Sequence, residues 1–95
     1  MNSKERAYLR GLAMNVEPLV HIGKNGITEN KIKEIDDILE AREMVKISVL
    51  ANSDYSAKDL INELAESTRS IPLETKGSKI VLYRVSHKKG IKHLL

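Results

Sequence analysis

A chain of 95 residues suits one domain and leaves little room for a second core. Hydrophobic residues at 41% and charged residues at 31% are ordinary for a globular chain, and a net charge of +3 leans it toward anionic partners. With no cysteine, disulfides, thiolate metal sites and cysteine nucleophiles are excluded, and with only Tyr8, Tyr55 and Tyr83 as aromatics the core must be aliphatic.

The charge is unevenly spread. Lys4, Arg6, Arg10 and Lys24 against Glu5 and Glu17 leave residues 1–26 at +2. Six basic and eleven acidic side chains leave residues 27–75 at −5, and six cations with no acid leave residues 76–95 at +6. Two basic ends around an acidic middle form a polyanion-binding face if the ends meet in space; otherwise the last segment is a basic, frayed tail. The charged start, Met1–Arg6, lacks the apolar core of a signal peptide, and no apolar run approaches the roughly 18 residues of a membrane span. A cytoplasmic protein with no membrane association is expected.

Asn2 or Ser3 can cap a first helix with Glu5 in its first turn. Leu9, Leu12, Ala13 and Val16 recur at helical spacing, while Lys4, Arg6 and Arg10 point elsewhere, and Pro18 ends the helix near Asn15. Leu19–Ile22 fits a short buried strand. Thr28 caps a second helix, whose apolar face is Ile32, Ile35, Ile38 and Leu39, reaching about Arg42. "MVKISVL" then alternates as a strand, with Val45, Ile47 and Val49 inward and Lys46 and Ser48 outward. Ser56 and Asp59 have capping-box spacing ahead of Leu60, Ile61, Leu64 and Ala65, a third helix ending near Thr68. "IPLETKGSKIVLYRV" reads as two strands turning at Lys76–Ser78, and Pro72 places the first of them at an edge. The order αβαβαββ predicts a single α/β (α+β) domain over 1–85, with one sheet and helices packed on it, followed by a basic tail over 86–95. Ile91, Leu94 and Leu95 are able to dock that tail.

Between the first strand and the second helix lies Gly23-Lys24-Asn25-Gly26. Glycines permit close approach and positive φ, free amides donate, a helix N-terminus attracts anions, and Lys24 adds a cation. An ordinary turn has the same composition. The loop is neither GxxxxGK[ST] nor GxGxxG; the GXXG loop of KH domains clamps nucleic-acid backbone but joins two helices.

Several stretches together resemble the CRM (chloroplast RNA splicing and ribosome maturation) domain in its stand-alone bacterial YhbY-like form. They are "ERAYLRGLA" at 5–13, Pro18, "VHIGKNGIT" at 20–28, "MVKI" at 44–47 and "GSKIVLYR" at 77–84. One departure is Val85, where many CRM domains carry glycine. The resemblance implies a mixed four-stranded sheet with helices, similar to the C-terminal domain of translation initiation factor three. It also implies binding to ribosomal RNA of the large-subunit precursor in ribosome assembly. The family's GxxG loop falls on Gly23, Lys24, Asn25 and Gly26, its basic first-helix positions on Arg6 and Arg10, and its terminal Tyr-Arg on Tyr83 and Arg84.

The candidate RNA-binding residues are therefore Gly23, Lys24, Asn25, Gly26, Lys4, Arg6, Arg10, Arg84, Lys88 and Lys89. Arg84 either contacts RNA or pairs with an acid of the middle segment. Lys46 is either a contact or an edge guard, and Tyr83 packs against the sheet. His21 is structural, and His87 and His93 have no spaced Asp, Glu or Cys to complete a metal site. No cofactor, small-molecule substrate or nucleophile–base pair is indicated, and a monomeric, non-catalytic protein is expected. Few aromatics favour recognition by shape and phosphate over stacked bases. The competing expectation is a protein-interaction module whose acidic helix, Thr28–Arg42, docks on a basic ribosomal protein or assembly factor.

Overall fold

The computed structural model describes residues 1–95. Three helices and four strands follow in the expected order: α1 (Ser3–Ala13), β1 (Val20–Ile22), α2 (Glu29–Arg42), β2 (Met44–Val49), α3 (Ala57–Thr68), β3 (Ile71–Lys76) and β4 (Lys79–Tyr83).

Local chemistry explains the boundaries. Asn2 caps α1 in a reciprocal box with Glu5, Ser56 does the same for α3 with Asp59, and Thr28 accepts from the Lys31 amide to start α2. Each such cap satisfies otherwise orphaned amides and contributes about 1 kcal/mol. The Asp59 carboxyl is held below its ordinary value by the Ser56 amide and hydroxyl that bond to it. Beyond Ala13 the chain loosens into tighter turns, with Asn15 donating to Leu12 and Val16 to Ala13 before Pro18. Glu43 and Arg69 end α2 and α3 with φ of 66° and 54°, a left-handed position that usually takes glycine.

The strands form one sheet in the order β1-β2-β4-β3. β1 and β2 are parallel, joined through α2, while β2–β4 and β3–β4 are antiparallel. Pro72 thus lies on an edge strand, beside a register shift between Pro72 and Glu74. Lys46 does not: β2 is an inner strand, so the edge-guard reading of Lys46 is corrected. Strand order could not be read from alternation, which sets the face of a residue and not its neighbours.

Two clusters hold the sheet from opposite faces. Val20, Ile22, Val45, Ile47, Ile80 and Leu82 pack under Ile35 and Leu39 of α2 and Leu60 and Leu64 of α3. On the other face, α1 places Leu9 and Ala13 against Met44, Leu73, Val81 and Tyr83. This second cover is short. It spans the end of the sheet where Met44, Tyr83 and Ile71 stand in register and reaches Val81 in the next row. The opposite end of that face, where His21, Ser48, Lys79 and Lys76 form a row across four strands, has no helix over it in the cluster.

Residues 86–95 are not a frayed tail. Leu94 packs against the α1 cluster, and the segment is fastened to α2 by hydrogen bonds described below. Docking by Leu94 was among the contacts open to the segment; the hydrogen bonds to α2 were not legible, because the segment has no regular structure of its own.

Candidate nucleic-acid interface

The glycine loop connects β1 to α2 at the end of the sheet left bare by α1. The Gly26 amide donates to the Gly23 carbonyl at 3.0 Å, closing a four-residue turn. Gly26 takes φ of 66°, which a side chain would strain, and a Cβ on Gly23 would stand 3.0 Å from Asn52 Oδ1. Gly26 is thus required by conformation, while a side chain at Gly23 would need only the Asn52 side chain to shift. Within the turn, the amides of Lys24 and Asn25 have no protein acceptor, and both side chains are exposed. They lie just ahead of the α2 N-terminus, where peptide dipoles favour negative charge.

The same end carries cations that sequence reasoning left aside. Val49 donates to Ser78 at 2.8 Å, which brings the β3–β4 turn beside the end of β2. Lys79 and Lys76 are a register pair on either side of that turn, with Ser48 and His21 continuing their row toward the loop. His21 is exposed in this row and is not a core histidine. In the next row Lys46, half-buried, pairs with Val81, which pairs with Glu74. Lys24, Lys46, Lys76 and Lys79 all lack a carboxylate within ion-pair distance. The alternation of Lys46 and Ser48 was the available signal; placing them beside Lys79 required the register.

The basic termini lie elsewhere. Arg6 donates from Nη1 to the Pro72 carbonyl at 2.8 Å, fixing α1 at the far end of the sheet, and Arg10 occupies the last turn of the same helix. Lys4 is exposed in the first turn. Lys88 and Lys89 are exposed on a segment whose backbone is bound to Glu40 and Glu43, in and just past the last turn of α2. That is about 15–20 Å of helix from the glycine loop. Convergence of the loop with both ends is therefore not what the fold produces: Lys4, Arg6 and Arg10 sit on α1 at the far end of the sheet, and Lys88 and Lys89 follow residues bound to the C-terminal end of α2.

Of the two readings of Arg84, the structure shows pairing with acids of the middle segment. Its guanidinium bonds to the Asp36 carboxylate, to Glu40 Oε2 at 3.0 Å, to the Thr68 carbonyl at 2.7 Å and to the Asp36 carbonyl at 3.2 Å. Only 17% of its side chain is exposed. It ties β4 to α2 and α3, and its charge is spent on two acids. Tyr83 is buried as expected; burial, then the charges of Glu43 and Glu5, push its phenol up from the ordinary value.

Glu43, fully buried, was missed altogether. Its carboxylate accepts from the Ser86 amide at 2.7 Å, His93 Nδ1 at 2.6 Å and the Leu94 amide at 2.7 Å. Burial pushes the carboxyl up, but these donors outweigh it and leave the group below its ordinary value of 4.5. Glu40 is also lowered, first by the His87 amide and then, against some desolvation, by Arg84 and Ser86. No group of three or more His, Cys, Asp or Glu side chains is placed so as to hold a metal ion. No helix is long and apolar enough to cross a membrane.

Comparison with known proteins now decides the lineage. The family model for the CRS1 / YhbY (CRM) domain matches residues 1–84. The chain belongs to the CRM family. A probable RNA-binding protein of Bacillus subtilis, YqeI, is 38% identical over 86 residues, 90% of each chain. An RNA-binding protein of Haemophilus influenzae is 36% identical over 92 residues, 96% of this chain and 92% of that one. The solution structure of SAV1595 from Staphylococcus aureus, a hypothetical protein proposed to bind RNA, superposes with a TM-score of 0.78. It is 47% identical and covers 94% of this chain and 93% of that one. The CRM assignment and the mixed sheet agree with the resemblance already drawn from the motifs.

Proposed function

We propose that this CRM protein binds RNA, with the glycine loop seating backbone phosphate and the bare half of the sheet supplying cations. The observation that carries the reading is the pair of amides, Lys24 and Asn25, without protein acceptors just ahead of the α2 N-terminus, at the end of the sheet where Lys79 and Lys76 also stand. Two relatives named as RNA-binding support it. The reading extends to ribosomal RNA of the large-subunit precursor, with a role in ribosome assembly, by a cytoplasmic, monomeric and non-catalytic protein. Lys4, Arg10, Lys88 and Lys89 then serve as a second, longer-range contact, while Arg6 and Arg84 act mainly as ties within the protein.

The competing reading, a docking surface on α2, loses support. Asp36 and Glu40 are matched by Arg84, Asp37 by Lys33 at 3.0 Å and Glu34 by Lys31 at 3.6 Å, so little unpaired acid remains for a basic partner.

The test replaces both Lys24 and Asn25 with aspartate. Affinity for large-subunit rRNA fragments should fall at least tenfold with the melting temperature unchanged, since neither side chain is packed. Unchanged affinity removes the loop from the mechanism.

A further inference from the structure

Between the glycine loop and the loop following β2 lies a cavity of about 250 Å³. That is below the roughly 300 Å³ at which pockets for drug-sized ligands begin, so it admits one ring system and little more. It is lined by Lys24, Asn25 and Gly26 of the glycine loop, by Tyr55 of the loop after β2, and by an apolar base of Ile27 and Leu60. Leu60 and Ile27 belong to the main core or pack against it, so the base is rigid. Tyr55 is 61% exposed although it is one of only three aromatic residues in the chain. Its position is set by its own backbone: Ser53 Oγ accepts from the Tyr55 amide at 3.2 Å and donates to the Tyr55 carbonyl at 2.7 Å. An exposed ring on a fixed turn is a stacking platform at little ordering cost.

We infer that this cavity is a nucleobase subsite, in which one base of the bound RNA stacks on Tyr55 while its phosphate lies on the glycine loop. The inference rests on the reading above and adds to it a contact that sees the base. Asp54 and Glu63 also line the cavity. Two carboxylates repel a phosphate from its interior, which leaves phosphate to the outer, Lys24 side. They accept hydrogen bonds from exocyclic amino groups, which adenine and cytosine carry and uracil lacks, so adenine or cytosine fits better than uracil, whose single ring N–H is flanked by carbonyls. Tyr55 also borders a second depression that reaches Gly77 and Ser78. A strand leaving the base subsite that way arrives at Lys76 and Lys79.

The chain has no tryptophan, so Tyr55→Trp creates a unique fluorescent reporter in the full-length protein. Short single-stranded oligoadenylate should quench it, oligouridylate should do so at least fivefold more weakly, and an abasic oligonucleotide should leave it bright. In an otherwise unchanged chain, Tyr55→Ala should weaken oligoadenylate binding about tenfold and Tyr55→Phe less than twofold, as stacking requires. AMP should bind much more weakly than the oligonucleotide; equal affinities would overturn the assignment to RNA. If Lys24→Asp with Asn25→Asp abolishes binding while Tyr55→Ala and the reporter respond to nothing, the subsite is wrong and the phosphate loop stands. If neither variant changes affinity, both readings fall.

Discussion

At one end of the sheet, Lys24, Lys76 and Lys79 stand without carboxylate partners, and the glycine loop at that end holds two amides that no protein atom accepts from. At the other, Arg84 is enclosed by Asp36, Glu40 and the Thr68 carbonyl, and the last ten residues are strapped onto Glu40 and Glu43. Both ends are rich in cations. At the second end the fold has matched Arg84, whereas Lys4, Arg10, Lys88 and Lys89, like the lysines of the first end, have no carboxylate within ion-pair distance. A guanidinium held in four bonds has its geometry chosen for the protein, and releasing it to bind an anion would leave carboxylates and a carbonyl unpaired. A lysine on an open sheet row has nothing to give up. The comparison teaches that a cation counts toward a polyanion surface only if the fold has not already matched it: Arg84 is spent, and the lysines just named are not.

The sharpest way to break this contrast is at Glu43. Glu43→Ala strands the Ser86 and Leu94 amides and removes the partner of His93 in a fully buried position. A loss of about 3–5 kcal/mol is expected, measured by urea unfolding, with a melting temperature lower by at least about 12 °C. Below the transition, RNA affinity should be near wild type, because the glycine-loop end does not depend on the strap. A stability change under about 1 kcal/mol would mean that the segment 86–95 is fastened by Leu94 packing and not by the carboxylate.

Acid should reveal the same anchor. Glu40 and Glu43 bind protons less readily in the folded chain than at the ordinary value of 4.5, so folding expels protons in this range. Their contribution is complete above that value and is lost as pH falls through the lower folded values. The urea midpoint should therefore drop between pH 5 and 3, and Glu43→Gln, less stable at neutral pH, should show a shallower drop.

What could be read from sequence divides along the same line. All seven elements, the Thr28 cap, the Ser56–Asp59 box and the edge position of Pro72 are local matters of spacing and turn chemistry, and they were legible. The glycine loop was legible too, since its composition and the CRM motifs around it occupy adjacent positions. The Glu43 anchor was not, because its partners are 43 to 51 residues away. It looked like one acid among eleven in the middle segment. Nor was the lysine row: alternation set Lys46 outward, but only the β2–β4 pairing shows it standing one row from Lys79. The base cavity joins two loops separated by a helix and a strand, and neither carries a motif for it.

A smaller effect is expected at Arg84. Arg84→Met keeps the packing length but removes the ties to Asp36, Glu40 and Thr68, and about 2 kcal/mol of stability should go with them. The slope of log affinity against log salt should stay within error of wild type, since this cation releases no counterion on RNA binding. A slope reduced by about one would return Arg84 to the binding surface.

The smallest change in stability, and the most direct view of the bare sheet, is expected from Lys79→Gln. Lys79 contacts only the Ser78 hydroxyl, at 3.1 Å, so stability should move by no more than about 0.5 kcal/mol. Its charge, unmatched at rest, is the kind that phosphate would neutralise with counterion release. The salt slope should therefore fall by about one, and affinity should weaken similarly for every RNA sequence tested, as a phosphate contact demands. Lys46→Gln, one row further from the loop, sharpens the result: if RNA follows the open half of the sheet, its slope also falls. If it stays on the loop alone, only Lys24 and Lys79 respond.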